Sequence, residues 1–120
     1  MNDVVNIAEE IKLKIEILKN CRSQLAQKGN AKAQKMAEYE KAIAVIMIRL
    51  KNGIEYELDG NKIINPQTTI IEKLARGIAW KEKLEQDKAE TDYKSLITFI
   101  QTVEAEVNAL QSINRYLDKE

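Results

Sequence analysis

In the last quarter of the chain, apolar residues recur at alternating steps of three and four. Tyr93, Leu96, Ile100, Val103, Val107, Leu110, Asn114 and Leu117 occupy alternating a and d positions of a heptad repeat, and Asn114 is its one polar member. A helix spaced in this way carries a continuous apolar seam, which has to be buried against another helix. The seam therefore commits the chain to helix-on-helix packing. The expected partner is a second copy of the chain, with these eight residues as the oligomer interface. The alternative is a seam folded back onto the chain's own upstream helices.

The upstream sequence supplies such helices. Val4, Ile7, Ile11, Ile15, Leu18 and Leu25 share one face of a helix that Asn2 or Asp3 can cap and that Gly29-Asn30 is expected to end. Residues 11–17 alternate like a strand, but the 3.6-residue period continues on both sides and predicts a helix. On that helix Leu13 and Ile17 form a second apolar stripe, available to a second neighbour. A second helix is expected over residues 31–52, ended by Gly53, with Met36, Tyr39, Ile43, Ile46, Met47 and Leu50 as its core stripe. Val45 and Ile48 lie opposite, so this helix should be the most buried. The short Gly29-Asn30 link would make the two helices antiparallel neighbours.

Residues 54–65 change character. Ile54, Tyr56 and Leu58 alternate with acidic residues, then come Asp59-Gly60 and Ile63-Ile64. This reads either as a short hairpin packed on the helices or as a crossover loop. Asn65-Pro66 suits an N-cap followed by Pro at the first helical position, with Ile70, Ile71, Leu74 and Ile78 on one face of the next helix. Residues 66–120 form either one helix, about 80 Å long at 1.5 Å per residue, or two. A bend is expected between Lys81 and Asp92, where charge dominates and the apolar stripe loses phase. Thr91 could then cap a fourth helix, and residues 66–120 could protrude as an oligomerisation arm. The fold class is all-α, a helical bundle within a single domain over residues 1–120.

Composition narrows the function. One proline and four glycines in 120 residues suit helices rather than sheets. The 19 basic and 19 acidic side chains cancel and are interspersed, so no segment resembles a domain that tracks a phosphate backbone, and nucleic acid is not an expected partner. Cys21 stands alone and cannot form an internal disulfide, which favours a reduced, cytoplasmic setting. No signal-peptide pattern opens the chain. The longest apolar run, Ala42 to Ile48, falls far short of the roughly 20 residues that span a bilayer.

The chain contains no histidine, which removes His-based acid–base and nucleophilic chemistry and the commonest transition-metal ligand. The glycines sit singly, so there is no phosphate-binding loop. Asp59-Gly60-Asn61 lacks the acidic partners of a calcium loop. Glu82 and Glu85 lie one helical turn apart, but no second pair completes the four-carboxylate magnesium site of a helical nucleotide hydrolase. No catalytic, cofactor-binding or metal-binding residue is expected, and Cys21 reads as a small core residue. The binding candidates are Trp80 with Leu84 at i, i+4, off the apolar stripe and suited either to a protein partner or to roofing the core. Asn114 could fix register at its a position. Lys28, Lys32 and Lys35 form a basic cluster, either a solvated helix end or a phosphate contact.

The stretches Asp92-Tyr93-Lys94-Ser95-Leu96-Ile97 and Leu110 to Asp118, with Ala42-Ile43-Ala44-Val45 and Leu50-Lys51-Asn52-Gly53, resemble small helical proteins encoded by phages and prophages of Gram-positive bacteria. The resemblance implies a life inside the host cell and an accessory role; it carries over no activity and no site residue. The expectation is a non-enzymatic accessory protein that self-associates and binds or inhibits a host or phage protein. The alternative is an accessory factor in phage DNA replication or recombination with weak nucleic-acid contact.

Overall fold

The computed structural model describes residues 2–118, and most of them are helical. Helix α1 spans Asn2–Lys51, strands β1 and β2 span Tyr56–Leu58 and Asn61–Ile63, and a 3-10 turn covers Thr68–Ile70. Helices α2 (Ile71–Ile78) and α3 (Trp80–Asp118) follow. The seam thus lies on one long C-terminal helix. No described helix is long and apolar enough to cross a membrane.

The expected break at Gly29-Asn30 is absent: α1 runs through it as one 50-residue helix, so residues 2–28 and 31–52 are not antiparallel neighbours. Good helix formers flank the pair, and helix propagation across one Gly and one Asn costs only about 1–2 kcal/mol. Gly29 faces the Tyr93 ring, and a Cβ there would lie in ordinary contact with it at 3.4 Å. Asp3 falls in the first turn, where its carboxylate suits the helix dipole. A capping role for the Asn2 side chain lies outside the described residues.

Gly53 does end a helix. It takes φ +79°, and the Ile54 and Gly53 amides donate to the Arg49 and Leu50 carbonyls at 3.0 and 3.2 Å. That pair of bonds is a Schellman motif, open to glycine because its C′ residue is left-handed. The hairpin follows from its turn: Asp59 and Gly60 both have positive φ, as a type I′ turn requires, and Tyr56 pairs with Ile63.

Two expectations for the next segment are corrected. Asn65 has φ +45° and turns the chain, so Pro66 does not open the helix; Gln67 is still extended and α2 starts at Ile71. The interruption before α3 falls at Ala79, where ψ is +24°, rather than within residues 81–92. Lys, Glu, Gln and Ala are good helix formers, so the charged stretch stays helical and Thr91 lies inside α3. Lys83–Asp87 pairs at 3.2 Å there, while Lys88 reaches back to Glu85.

The chain divides into two units. The hairpin unit, Asn30–Thr91, buries Tyr39, Ile43, Ile46 and Leu50 of α1 against Ile71, Ala75 and Ala79, with Tyr56 and Ile63 of the hairpin packed on the cluster. Ala75 is wholly buried and Leu58 reaches Gly77, so small residues on α2 allow its close approach. Residues 31–52 are not buried all round, because Ile48 is 60% exposed. The paired-helix unit comprises the residues up to Gly29 and those from Asp92 onward. Leu18 and Cys21 of α1 pack there against Ile100, Val103 and Val107 of α3, with Ile11, Leu25 and Leu96 beside them. The ion pairs Lys14–Glu106 and Arg22–Glu104 cross between the two segments in this antiparallel register.

Candidate functional site

In the hairpin unit one face of α1 forms an open groove of about 440 Å3, with Ala42, Val45 and Ile46 along its floor. Tyr56 of β1 closes one end, Glu82 of α3 stands on the rim, and Glu38, Lys41 and Arg49 line the α1 side. The 3.6-residue period brings positions 38, 42, 45 and 49 to one flank of the helix. The Arg49 guanidinium donates to the Tyr56 hydroxyl over a long 3.5 Å. Glu38 accepts from Lys35 at 3.2 Å and from Gln34 at 3.1 Å, and these bonds hold its carboxyl below the usual glutamate range. An apolar floor with charges of both signs at its rim can take an apolar side chain flanked by polar ones. Among the described residues no group of three or more His, Cys, Asp or Glu is placed to hold a metal ion.

Trp80 and Leu84 are 51% and 45% exposed at the start of α3, outside the core cluster. On the α3 wheel they stand on the side opposite Glu82, so they do not line the groove. The Lys81 ammonium sits 5.6 Å from the Trp80 ring centroid, within cation–π distance.

The lysine cluster is not a helix end. Because α1 is continuous, Lys28, Lys32 and Lys35 fall in mid-helix, half-buried on the same heptad stripe as Leu25 and Tyr39. Lys35 is engaged by Glu38. A stripe turned toward the packed side of its own helix is a poor surface for a phosphate backbone, which needs projecting cations.

The heptad seam is occupied within the chain. Ile100, Val103 and Val107 are 8%, 3% and 7% exposed, closed by Leu18 and Cys21 of the same chain, so they are not free to meet a second copy. Tyr93, Leu96, Leu110, Asn114 and Leu117 are half-buried along the same stripe. The sequence contained both halves of this packing, but periodicity alone does not distinguish a seam closed from within from one closed by a partner. The Asn114 side-chain oxygen is buried without a hydrogen-bond partner, as is that of Gln86.

The groove itself was not legible in the sequence. Lys41, Arg49, Tyr56 and Glu82 come from three elements joined only by the fold, and none belongs to a motif. No family model, curated protein or solved structure matches the chain.

Proposed function

We propose that this chain is a non-enzymatic, phage-type accessory protein acting in the host cytoplasm by helical protein–protein contact. It self-associates and binds, or inhibits, a host or phage protein. The observation that carries the reading is Trp80. A tryptophan half in solvent, paired with an equally exposed Leu84 and not needed to close the core beneath it, is the kind of side chain that anchors interfaces. The groove floored by Ala42, Val45 and Ile46 offers a second apolar contact in the same unit. The missing histidine and the scattered glycines agree with a role in binding rather than chemistry.

The test uses the full chain as bait in a host-cell extract, beside Trp80→Ala and Leu84→Ser variants. A protein held by the wild type is identified, purified and titrated against all three by calorimetry. The expected result is an affinity at least about tenfold weaker for Trp80→Ala, with unchanged helicity, as for an interface anchor. Equal affinity for the variants would remove Trp80 from the binding surface.

A further inference from the structure

Two signals in the sequence go unused by the fold. Gly29-Asn30 reads as a helix stop and Thr91 as a helix start, yet both lie inside continuous helices, α1 and α3. Both also fall where the chain passes between its two units, which part at Gly29–Asn30 and again at Thr91–Asp92. The two crossings are level with each other, because Gly29 faces the Tyr93 ring.

Packing is weakest along the same stretch. Among the described residues, no side chain between Cys21 and Tyr39 of α1 is fully buried, a length of about 27 Å at 1.5 Å per residue. The same holds from Trp80 to Phe99 of α3. The half-buried positions near the crossings include Lys28, Lys32, Gln86 and Glu90, so polar groups stand where the two clusters have apolar ones. The Gln86 side-chain oxygen is buried without a hydrogen-bond partner, an acceptor that water would satisfy on opening. Helix propensity is low at the crossings too, since Gly, Asn, Thr and Asp are all poor interior residues.

We infer that the crossing is a two-helix hinge: α1 opens at Gly29-Asn30 and α3 at Thr91-Asp92, together, and the same residues cap the broken ends. In the opened form Gly29 takes the left-handed C′ position of the segment before it, as Gly53 does at the end of α1. Asn30 and Thr91 become N-caps of the segments that follow, their side-chain oxygens accepting from amides that have lost their carbonyl partners. Both side chains are exposed in the intact helices, so they turn to this use without leaving a core. Connectivity couples the two openings. Two helical struts join two separately packed clusters, and one strut cannot bend while the other holds its length. Neither cluster is disturbed, so the hinge reorients the unit that carries Trp80 relative to the paired helices.

Amide hydrogen exchange on the full chain, followed residue by residue by NMR, tests this. The amides of residues 30–33 and 91–94 lose their carbonyl partners on opening. They should exchange at least about a hundredfold faster than those from Ile43 to Leu50 and from Ile100 to Val107. Gly29→Ala/Asn30→Ala removes both caps from α1 and favours the intact helix. It should narrow that gap at least about tenfold in residues 30–33 and also in 91–94, where nothing has been changed. Thr91→Ala should act in the same way from α3. Helicity by circular dichroism should match the wild type in both variants. Protection at the crossings equal to that in the clusters overturns the hinge, as does a gap that neither variant narrows. Slowing confined to the substituted helix also overturns it, because α1 and α3 would then open independently.

Discussion

Gly29 sits inside α1, and a Cβ added there would make ordinary contact with the Tyr93 ring at 3.4 Å. Gly53 sits at φ +79°, with the Asn65 side-chain oxygen 3.2 Å from where a Cβ would go. Two glycines with the same stop-signal reading in the sequence therefore respond in opposite senses to one substitution. Gly29→Ala should raise stability in urea unfolding by about 0.5–1 kcal/mol, the helix-interior gain of alanine over glycine. Gly53→Ala should lower it by about 1–2 kcal/mol, because a left-handed backbone and a crowded Cβ act together. Losses of similar size at both positions would mean that the helix ends at Gly29 after all. Titration adds a second prediction at this scale. The carboxyl of Glu38 is lowered by its bonds from Lys35 and Gln34, so its contribution is complete above the unfolded glutamate value and is lost as pH falls through the folded one. Lys14 is raised by its hydrogen bond to Glu106, so its contribution is complete below the ordinary lysine value and is lost as pH rises through the raised one. In Tm-against-pH profiles, Glu38→Gln should flatten the acid limb and Glu106→Gln the alkaline limb. Both effects should shrink in 1 M salt, since these are surface pairs.

At the scale of elements, the seam on α3 decides the fate of the paired-helix unit. Changing Leu96, Ile100 and Val103 together to serine removes side chains that pack on Leu18 and Cys21 of the same chain. The expected result is loss of helical circular dichroism in this unit, which a seam facing a second copy would not produce; such a seam would yield a folded single chain of half the mass. In the hairpin unit Leu50 is 2% exposed among Ile46, Ile71 and Ala75, so Leu50→Ala should cost about 2–5 kcal/mol, measured by urea unfolding. The hairpin was readable beforehand because Asp59-Gly60 dictates its own turn within two residues. The continuity of α1 was not readable, because Gly29-Asn30 is a stop signal by local propensity, while the helix formers on both sides carry the helix through it at modest cost. The start of α2 was misplaced for a different reason: Asn65 is turned left-handed next to Gly53, and that juxtaposition belongs to the fold.

For the whole molecule, the two buried clusters share no residue, although α1 and α3 each contribute to both units. Native-state hydrogen exchange on Leu50→Ala should therefore lose most protection in residues 39–79, with smaller losses at amides near Leu18 and Val103. Equal losses everywhere would show that the clusters unfold as one cooperative block. The groove and Trp80 both belong to the hairpin unit.

Local chemistry determined a good part of this protein from sequence alone. Its helical class, the seam on the last helix, the Asp-Gly hairpin, the glycine stop at position 53 and the off-stripe position of Trp80 and Leu84 each depend on residues within a few positions of one another. The second stripe at Leu13 and Ile17 was equally visible as a spacing. What closes each stripe was decided only in three dimensions. The seam meets α1 of its own chain, the lysines turn toward the packed side of their helix, and Lys41, Arg49, Tyr56 and Glu82 gather around one groove. The physical reason is that periodicity fixes which side chains share a face but not what that face meets, since apolar burial is non-directional and accepts any surface of matching shape.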